Sequence, residues 1–209
     1  IEYGEKMKVR LRRGLRQFGE YANGYHQLAT VQARRTWYSL ATGEPAPIVF
    51  PNIFWSKHVV YLNEIGGTPT NVFFEIHPRK GIDAKLLCAI LNSTLTAILA
   101  ELSGRYIENR DRTLSNQLMI YELKRLPIVH PEKLGPLKQQ LEKSFDANLD
   151  IDIPSTISRG TDSFLVSVDK ITLCDLLRFS GVEMMLIRKN LSSVVKERLK
   201  LSGIVNQKD

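Results

Sequence analysis

The sequence lacks the signatures of the common enzyme classes. It contains no glycine-rich phosphate loop, no Gly-x-Ser-x-Gly elbow, no Cys-x-x-Cys pair and no two histidines at the i, i+4 spacing of a zinc-binding helix. The four histidines are isolated from one another, which is typical of surface or structural residues. The residues alone therefore give little support to a catalytic centre.

Long apolar runs and cysteines are also scarce. The longest apolar stretches are interrupted by charge well before the roughly 18 residues needed to span a bilayer, so no membrane segment is predicted. Cys88 and Cys174 each lie in an apolar, helix-like run and are predicted to be reduced core thiols in the cytoplasm. The chain begins with Ile1 and Glu2 and has no signal-peptide pattern, and we expect it to be a piece of a longer protein.

The composition is that of an ordinary globular chain. It has 209 residues, of which 43% are hydrophobic and 24% charged, which excludes disorder and collagen. The net charge of +7 is concentrated near the N-terminus, where residues 6–16 hold six basic side chains and no acidic one. Such a run attracts phosphates or another polyanion, and it equally fits docking to an acidic partner domain.

Hydrophobic periodicity predicts strands in the first half of the chain. Alternating basic and apolar residues predict a strand over 6–12, and short β-type runs predict strands over 34–40 and 48–50. Residues 59–62 and 72–76 flank Gly66 and Gly67 like the arms of a hairpin.

Helical periodicity dominates from residue 83 onward. Apolar spacing between Asp83 as an N-cap and Gly104 at the C-terminal cap predicts one amphipathic helix. Further helices are predicted over 131–145, 171–177 and 182–199, with a linker over 146–160. Between them, a polar basic loop over 105–116 precedes a strand-like 118–123. The predicted fold class is α+β, with a β-rich first part, a central amphipathic helix and a helical C-terminal extension.

Two arrangements of charged residues point to nucleic-acid chemistry. Asp111, Glu122 and Lys124 resemble the metal centre of PD-(D/E)xK nucleases, although Asp111 lies between two arginines that pair with it more readily. Aromatic residues also follow or precede basic ones at 34–38, 55–57 and 105–106, where guanidinium groups and rings can meet bases and phosphates. Trp37 and Trp55 fit equally well as core anchors.

Several motifs, in order, resemble one known family. Residues 36–40 read TWYSL, 47–53 read PIVFPNI, 86–94 read LLCAILNST and 104–106 read GRY. Residues 122–128, 168–169 and 194–200 follow with ELKRLPI, VD and VVKERLK. The series, from residue 34 to about 202, resembles the C-terminal target-recognition region of adenine-specific DNA methyltransferases of the Taq and Eco57I type.

The resemblance implies that this chain is one part of a larger enzyme, in which DNA recognition and catalysis belong to different domains. The methyl-donor glycine motif and the Asn/Asp-Pro-Pro-Tyr motif of that family are absent from this chain. The implied parent is an S-adenosylmethionine-dependent adenine-specific DNA methyltransferase or a fused restriction-modification enzyme, whose upstream methyltransferase domain flips and methylates the base. This chain would bind double-stranded DNA, would not be catalytic alone, and would itself hold no cofactor or metal.

The implied domain order has four parts. Residues 1–33 form a basic segment leading from the missing catalytic domain, 34–145 the DNA target-recognition domain, 146–160 a linker and 161–209 the helical extension. Two alternatives to the methyltransferase remain open: a domain of a type I restriction specificity subunit, and the metal-dependent nuclease. A protein-docking module is a third.

The resemblance also assigns roles to individual side chains. The loop over 105–116 lies where such domains reach a groove, so Arg110, Arg112 and Asn116 are predicted to contact base edges. The remaining predicted DNA-binding residues are Arg10, Arg12, Arg13, Arg34, Arg35, Lys57, Arg79, Lys80, Arg105 and Tyr106. Lys57, Arg79, Lys80 and the N-terminal basic strand are assigned to phosphates, which position the protein without specifying sequence.

Overall fold

The computed structural model describes residues 2–6, 8–10, 21–28, 32, 43–109, 114–148 and 152–201. It divides into two compact units, Ile1–Glu44 and Pro45–Asp209. The strand predicted over 34–40 lies outside the described residues. The domain boundaries expected at residues 34, 146 and 161 stay predictions.

The first unit contains a short helix and a two-stranded sheet. Helix α1 is Glu2–Lys6, and strands β1 (Lys8–Arg10) and β2 (Tyr21–Asn23) pair antiparallel, with Lys8 opposite Asn23. Lys6 ends α1 and pairs with Glu2 one turn earlier, so the predicted strand begins at Lys8 rather than at Lys6. A 3₁₀ turn follows at Tyr25–Gln27.

The second unit opens with a small antiparallel sheet. Strand β3 (Ile48–Pro51) lies between β5 (Tyr61–Leu62) and β6 (Phe73–Ile76), while β4 (Ile53–Phe54) belongs to a second sheet. Ile48 and Phe50 are fully buried on one face of β3, as the two-residue period requires. The segments predicted to form a hairpin pair with β3 instead of with each other, because β3 contributes hydrogen-bonding edges on both sides.

The predicted central helix is two helices. Helix α2 is Ala84–Leu91 and α3 is Thr94–Ser103, and they are bent by 62° at Asn92 and Ser93. Asp83 caps α2 as predicted, its carboxylate accepting from Leu86 N at 3.0 Å. Ser93 is extended and its hydroxyl caps α3 by accepting from Thr96 N, so a polar cap interrupts an otherwise helical apolar pattern.

Asn92 fixes the position of this break against the sheet. Its Oδ1 accepts from Val60 N at 2.9 Å, and its Nδ2 donates to Val60 O at 2.8 Å and to Cys88 O at 3.0 Å. The amide thus satisfies both backbone groups of a residue next to β5 in a buried setting, where unpaired polar groups are costly. The LNS motif therefore turns the chain and attaches α2 to the sheet.

The second sheet has three strands, and β8 lies in the middle. Strands β7 (Arg105–Glu108) and β8 (Leu114–Gln117) pair antiparallel, and β4 pairs with the other edge of β8. The stretch predicted to be a loop over 105–116 is therefore largely a hairpin. The strand predicted over 118–123 is wrong, because β8 ends at Gln117 and a helical turn, α4, occupies Ile120–Leu123.

Helices complete the unit. A 3₁₀ segment Pro131–Leu137 leads into α5 (Lys138–Asp146), and a 3₁₀ segment Thr156–Thr161 leads into α6 (Ser163–Asp169). A π-helical segment, Lys170–Leu176, and α7 (Gly181–Leu201) follow. The α+β class and the helical C-terminal part are confirmed. Residues of α2, β3, α5 and α6 share one core, in which Cys88 is buried as a free thiol whose pKa is raised to about 12 by burial.

No single helix in the described part of the chain is both long and apolar enough to cross a membrane. The bent pair α2 and α3 reaches that length and composition only when the two helices are taken together. Most of α2 is buried in the core of the unit: Leu86, Leu87, Cys88, Ala89, Ile90 and Leu91.

Gly104 joins α3 to β7 at a point that has no room for a side chain. A Cβ there would lie 1.8 Å from Asn116 Oδ1 and 3.0 Å from Gln117 O. We expect Gly104→Ala to lower the free energy of unfolding by about 1–3 kcal/mol, measured by urea denaturation, because β8 must shift to make space. Gly181→Ala is the matched control, since nothing lies within 4 Å of the Cβ at that position. Equal stability of the two variants would contradict the close approach.

Candidate nucleic-acid interface

The hairpin β7–β8 is the structural core of the region predicted to reach DNA. Its register places Arg105 opposite Gln117, Tyr106 opposite Asn116, and Glu108 opposite Leu114. Arg110 and Arg112, the two arginines predicted to contact bases, lie in the connection between these strands, outside the described residues. The described strands therefore show what supports that connection, and Arg110 and Arg112 stay predictions.

Asn116 is buried rather than presented on the surface. It has no exposed area, and its Nδ2 donates to Glu101 O at 2.8 Å and to Ala100 O at 3.3 Å. The side chain joins β8 to the last turn of α3 by satisfying carbonyl groups at a helix end. Its predicted role as a base contact is therefore corrected, because the donors that would read adenine are used inside the protein.

Arg105 lies on the opposite face of the hairpin and binds α4. Its Nη2 donates to Glu122 Oε1 at 2.8 Å and to the hydroxyl of Tyr121, and its guanidinium lies 5.9 Å from the centre of the Tyr121 ring. Glu122 Oε2 accepts from Met119 N at 2.7 Å. Arg105 and then the Met119 N–H hold the pKa of Glu122 below its ordinary value.

This pairing bears on the nuclease alternative. That reading needs Glu122 on a strand, with its carboxylate facing a metal ion. In the structure Glu122 lies on the helical turn α4, and both of its oxygens accept hydrogen bonds from Arg105 and Met119. The described residues contain no group of three His, Cys, Asp or Glu side chains able to hold a metal ion, and Asp111 lies outside them.

A buried ion pair anchors the other face of the hairpin. Arg198 of α7 is 1% exposed, and its Nε donates to Glu101 Oε1 at 2.6 Å while Nη2 lies 3.3 Å from Glu101 Oε2. The same guanidinium donates to Leu114 O at 2.8 Å and to Trp55 O at 2.5 Å. One side chain thus connects α7, α3, the start of β8 and the end of β4.

Tyr106 covers this ion pair on the solvent side. Its ring centre lies 5.8 Å from the Arg198 guanidinium, and the side chain is 46% exposed. Burial and then the charge of Glu101 raise the pKa of Tyr106, whereas Arg198 acts in the opposite direction. The exposed part of the ring and its protonated hydroxyl are available to a partner next to the hairpin.

The remaining predicted contacts are scattered. Lys57 binds Asp152 at 2.9 Å, and Arg79 and Lys80 are exposed in the turn after β6. Arg10 lies in β1, where its side chain is not described, and four others lie outside the described residues: Arg12, Arg13, Arg34 and Arg35. Trp55 is half exposed rather than a core anchor, and Trp37 lies outside the described residues.

Sequence reasoning missed Arg198 and Glu101, although a signal was present. Arg198 continues the buried row formed by Leu191 and Val195 on α7, and Glu101 follows Ala97 and Ala100 on α3. A charged residue on an apolar helix face needs an opposite charge in the core. Two such positions in different helices therefore indicated a buried pair.

Comparison with known proteins finds a family model that matches just under half of the chain. The family model described as "Type II methyltransferase M.Eco57I, C-terminal domain" matches residues 5–107. The matched stretch runs from α1 to the third residue of β7, and it contains four of the motifs recognised in the sequence: TWYSL, PIVFPNI, LLCAILNST and GRY. The motifs after residue 107 lie beyond it. No curated protein and no solved structure matches the chain.

The contribution of the Arg198–Glu101 ion pair to stability can be measured with variants. Arg198→Met leaves the Glu101 carboxylate buried without its cation, and we expect the free energy of unfolding to fall by about 3–5 kcal/mol in urea denaturation. The double variant Arg198→Met, Glu101→Leu removes both charges and is expected to lose less than the single variant does. The single variant Glu101→Leu is measured as well. If the loss of stability in the double variant equals the sum of the losses in the two single variants, direct coupling of the charges is contradicted.

Proposed function

We propose that this chain is the DNA target-recognition part of an adenine-specific DNA methyltransferase, because residues 5–107 match the family model of the C-terminal domain of the Type II methyltransferase M.Eco57I. The family match is the observation that carries the proposal. In this account the chain binds double-stranded DNA and selects the site. An upstream domain of the same enzyme binds S-adenosylmethionine and transfers the methyl group.

The hairpin supplies a physical basis for site selection. Two short strands carry a connection whose sequence holds Arg110 and Arg112, and arginine is the side chain that most often reads guanine in the major groove. The strands are fixed on one face by Arg105 with Glu122 and on the other by Arg198 with Glu101. Because the two strands are already fixed before binding, less entropy is lost when the hairpin meets a groove, which favours specific binding.

Charge supports the same proposal. The chain carries a net charge of +7, and Arg79, Lys80, Lys124 and Arg125 are exposed on the second unit. Exposed basic side chains bind phosphates and release counterions, which supplies affinity without sequence information. The N-terminal basic run, residues 6–16, belongs to the family-matched stretch and has the same expected role.

The family match also bears on the alternatives. The matched family model is named for a Type II methyltransferase, which favours that parent over a type I specificity subunit, and a methyltransferase of this type acts on DNA, which favours DNA over an acidic protein as the partner. The nuclease predicts a free Glu122 carboxylate, which the Arg105 pairing argues against. We therefore favour the methyltransferase recognition role over these three.

The test uses the 209-residue chain and fluorescently labelled duplexes. A preferred site is first selected from random DNA, and affinities for that site and for random duplex are then measured by anisotropy. We expect Arg112→Ala to reduce discrimination between the two by about 1–3 kcal/mol, because a bidentate base contact is lost.

Arg79→Ala is the matched control, since it removes an exposed arginine assigned to a phosphate. It should weaken binding to both duplexes equally and lower the slope of log affinity against log salt by about 1. Absence of any binding to DNA at low salt would overturn the proposed function. Lost discrimination in Arg79→Ala, with none lost in Arg112→Ala, would reverse the two roles.

A further inference from the structure

A second basic site lies outside the residues that match the family. A cleft of about 320 Å³ opens between the 3₁₀ segment Thr156–Thr161 and helix α7. Nine residues line it: Thr94, Thr156, Ile157, Arg188, Lys189, Leu191, Ser192, Ser193 and Lys196. All but Thr94 lie beyond residue 107, so the family match assigns the cleft no role.

The lining of this cleft is cationic and rich in hydroxyl groups. Three of the lining residues are basic and four carry a hydroxyl, while no acidic residue lines the cleft in the described part of the chain. Lys189 and Lys196 are exposed, and neither forms an ion pair with any other described residue. Ser193 is exposed beside them, whereas the hydroxyls of Thr94 and Ser192 donate within the protein, to Asp169 and to Ile157 O. Cations next to a neutral donor form an environment that a phosphate group prefers.

Buried contacts fix the inner wall of the cleft. Asp169 has no exposed area and accepts from Arg188 Nε at 2.8 Å, from Thr94 N at 2.8 Å and from Thr94 Oγ1 at 2.6 Å. Arg188 is thereby held in place with only 13% of its side chain exposed. The Asp169 charge offsets that of Arg188, so the net positive charge of the cleft comes from the two lysines.

The two lysines lie on one side of α7 and are well separated. Residues 189 and 196 are seven positions apart, which is two helical turns or about 10 Å along the axis. Ser193 lies between them on the same side, at the i, i+4 spacing from Lys189. This separation allows each lysine to meet a different phosphate of one extended ligand.

We propose that this cleft binds phosphate groups of the DNA backbone, with Lys189 and Lys196 each contacting one phosphate. The inference rests on the proposed function, since it names a further DNA contact of the same chain. The contact positions the duplex through charge and reads no bases. It also extends the DNA-binding surface from the family-matched part of the chain to the C-terminal helix.

The experiment compares salt dependence in the 209-residue chain. The double variant Lys189→Ala, Lys196→Ala is expected to lower the slope of log affinity against log salt for a random duplex by about 2, because two phosphate contacts are lost. Between 50 and 200 mM salt, its affinity should therefore fall about tenfold less than that of the unaltered chain. Lys133→Ala, Lys138→Ala removes two exposed lysines elsewhere and should leave the slope unchanged.

A second measurement distinguishes the DNA backbone from free phosphate. Thermal unfolding is recorded in inorganic phosphate and in chloride at equal ionic strength, since a ligand of the folded state raises the melting temperature. We expect phosphate to stabilise the unaltered chain more than the Lys189, Lys196 variant, and DNA binding to change in that same variant. Phosphate stabilisation that depends on the lysines, together with an unchanged DNA slope, would reassign the cleft to a free phosphate and overturn the backbone contact.

The remaining outcomes separate this inference from the proposed function. If the unaltered chain binds DNA and the lysine variant matches the Lys133, Lys138 control in slope, the cleft is not a DNA contact while the proposed function stands. If the unaltered chain binds no DNA at low salt, both proposals fail together.

Discussion

The arrangement of the second unit depends on one buried guanidinium. Arg198 binds both oxygens of Glu101 and two backbone carbonyls, Trp55 O and Leu114 O, in a site from which water is almost excluded. A buried charge is tolerated only when it is fully paired, so α7, α3 and two strands must take up this geometry together. The C-terminal helix is thereby part of the support of the hairpin.

A second set of buried polar contacts orders the helices around this centre. Asn92 fixes the bend between α2 and α3 by pairing with Val60, and Asp169 fixes α6 against the first residue of α3 by pairing with Thr94. Asp169 satisfies the Thr94 N–H, which the start of a helix leaves open, and Asn92 satisfies both backbone groups of Val60 beside β5. Rigid support of this kind is what a short hairpin needs if its connection is to read DNA, because short sheets have little stability of their own.

Sequence patterns predicted the parts of the fold that depend on local spacing. The Asp83 cap, the strand at Ile48 and the C-terminal helices follow from periodicity and caps, and these predictions are confirmed. The failures arose where tertiary contacts decide the outcome. Asn92 pairs with Val60 in the middle of a continuous apolar helical pattern, β5 and β6 both pair with β3, and Asn116 is used inside the core. The family resemblance was confirmed over residues 5–107 because it rested on ordered motifs rather than on one residue.

The most direct test of the proposed DNA-binding surface is hydrogen exchange along the chain, measured with and without a saturating DNA duplex. We expect DNA to slow amide hydrogen exchange in the hairpin, residues 105–117, and in the part of α7 that holds Lys189 and Lys196. The exposed apolar surface near Tyr61 and Ile65 should remain unchanged. Protection confined to that apolar surface, or no protection anywhere at saturating DNA, would contradict a recognition surface built on the hairpin and its supporting helix.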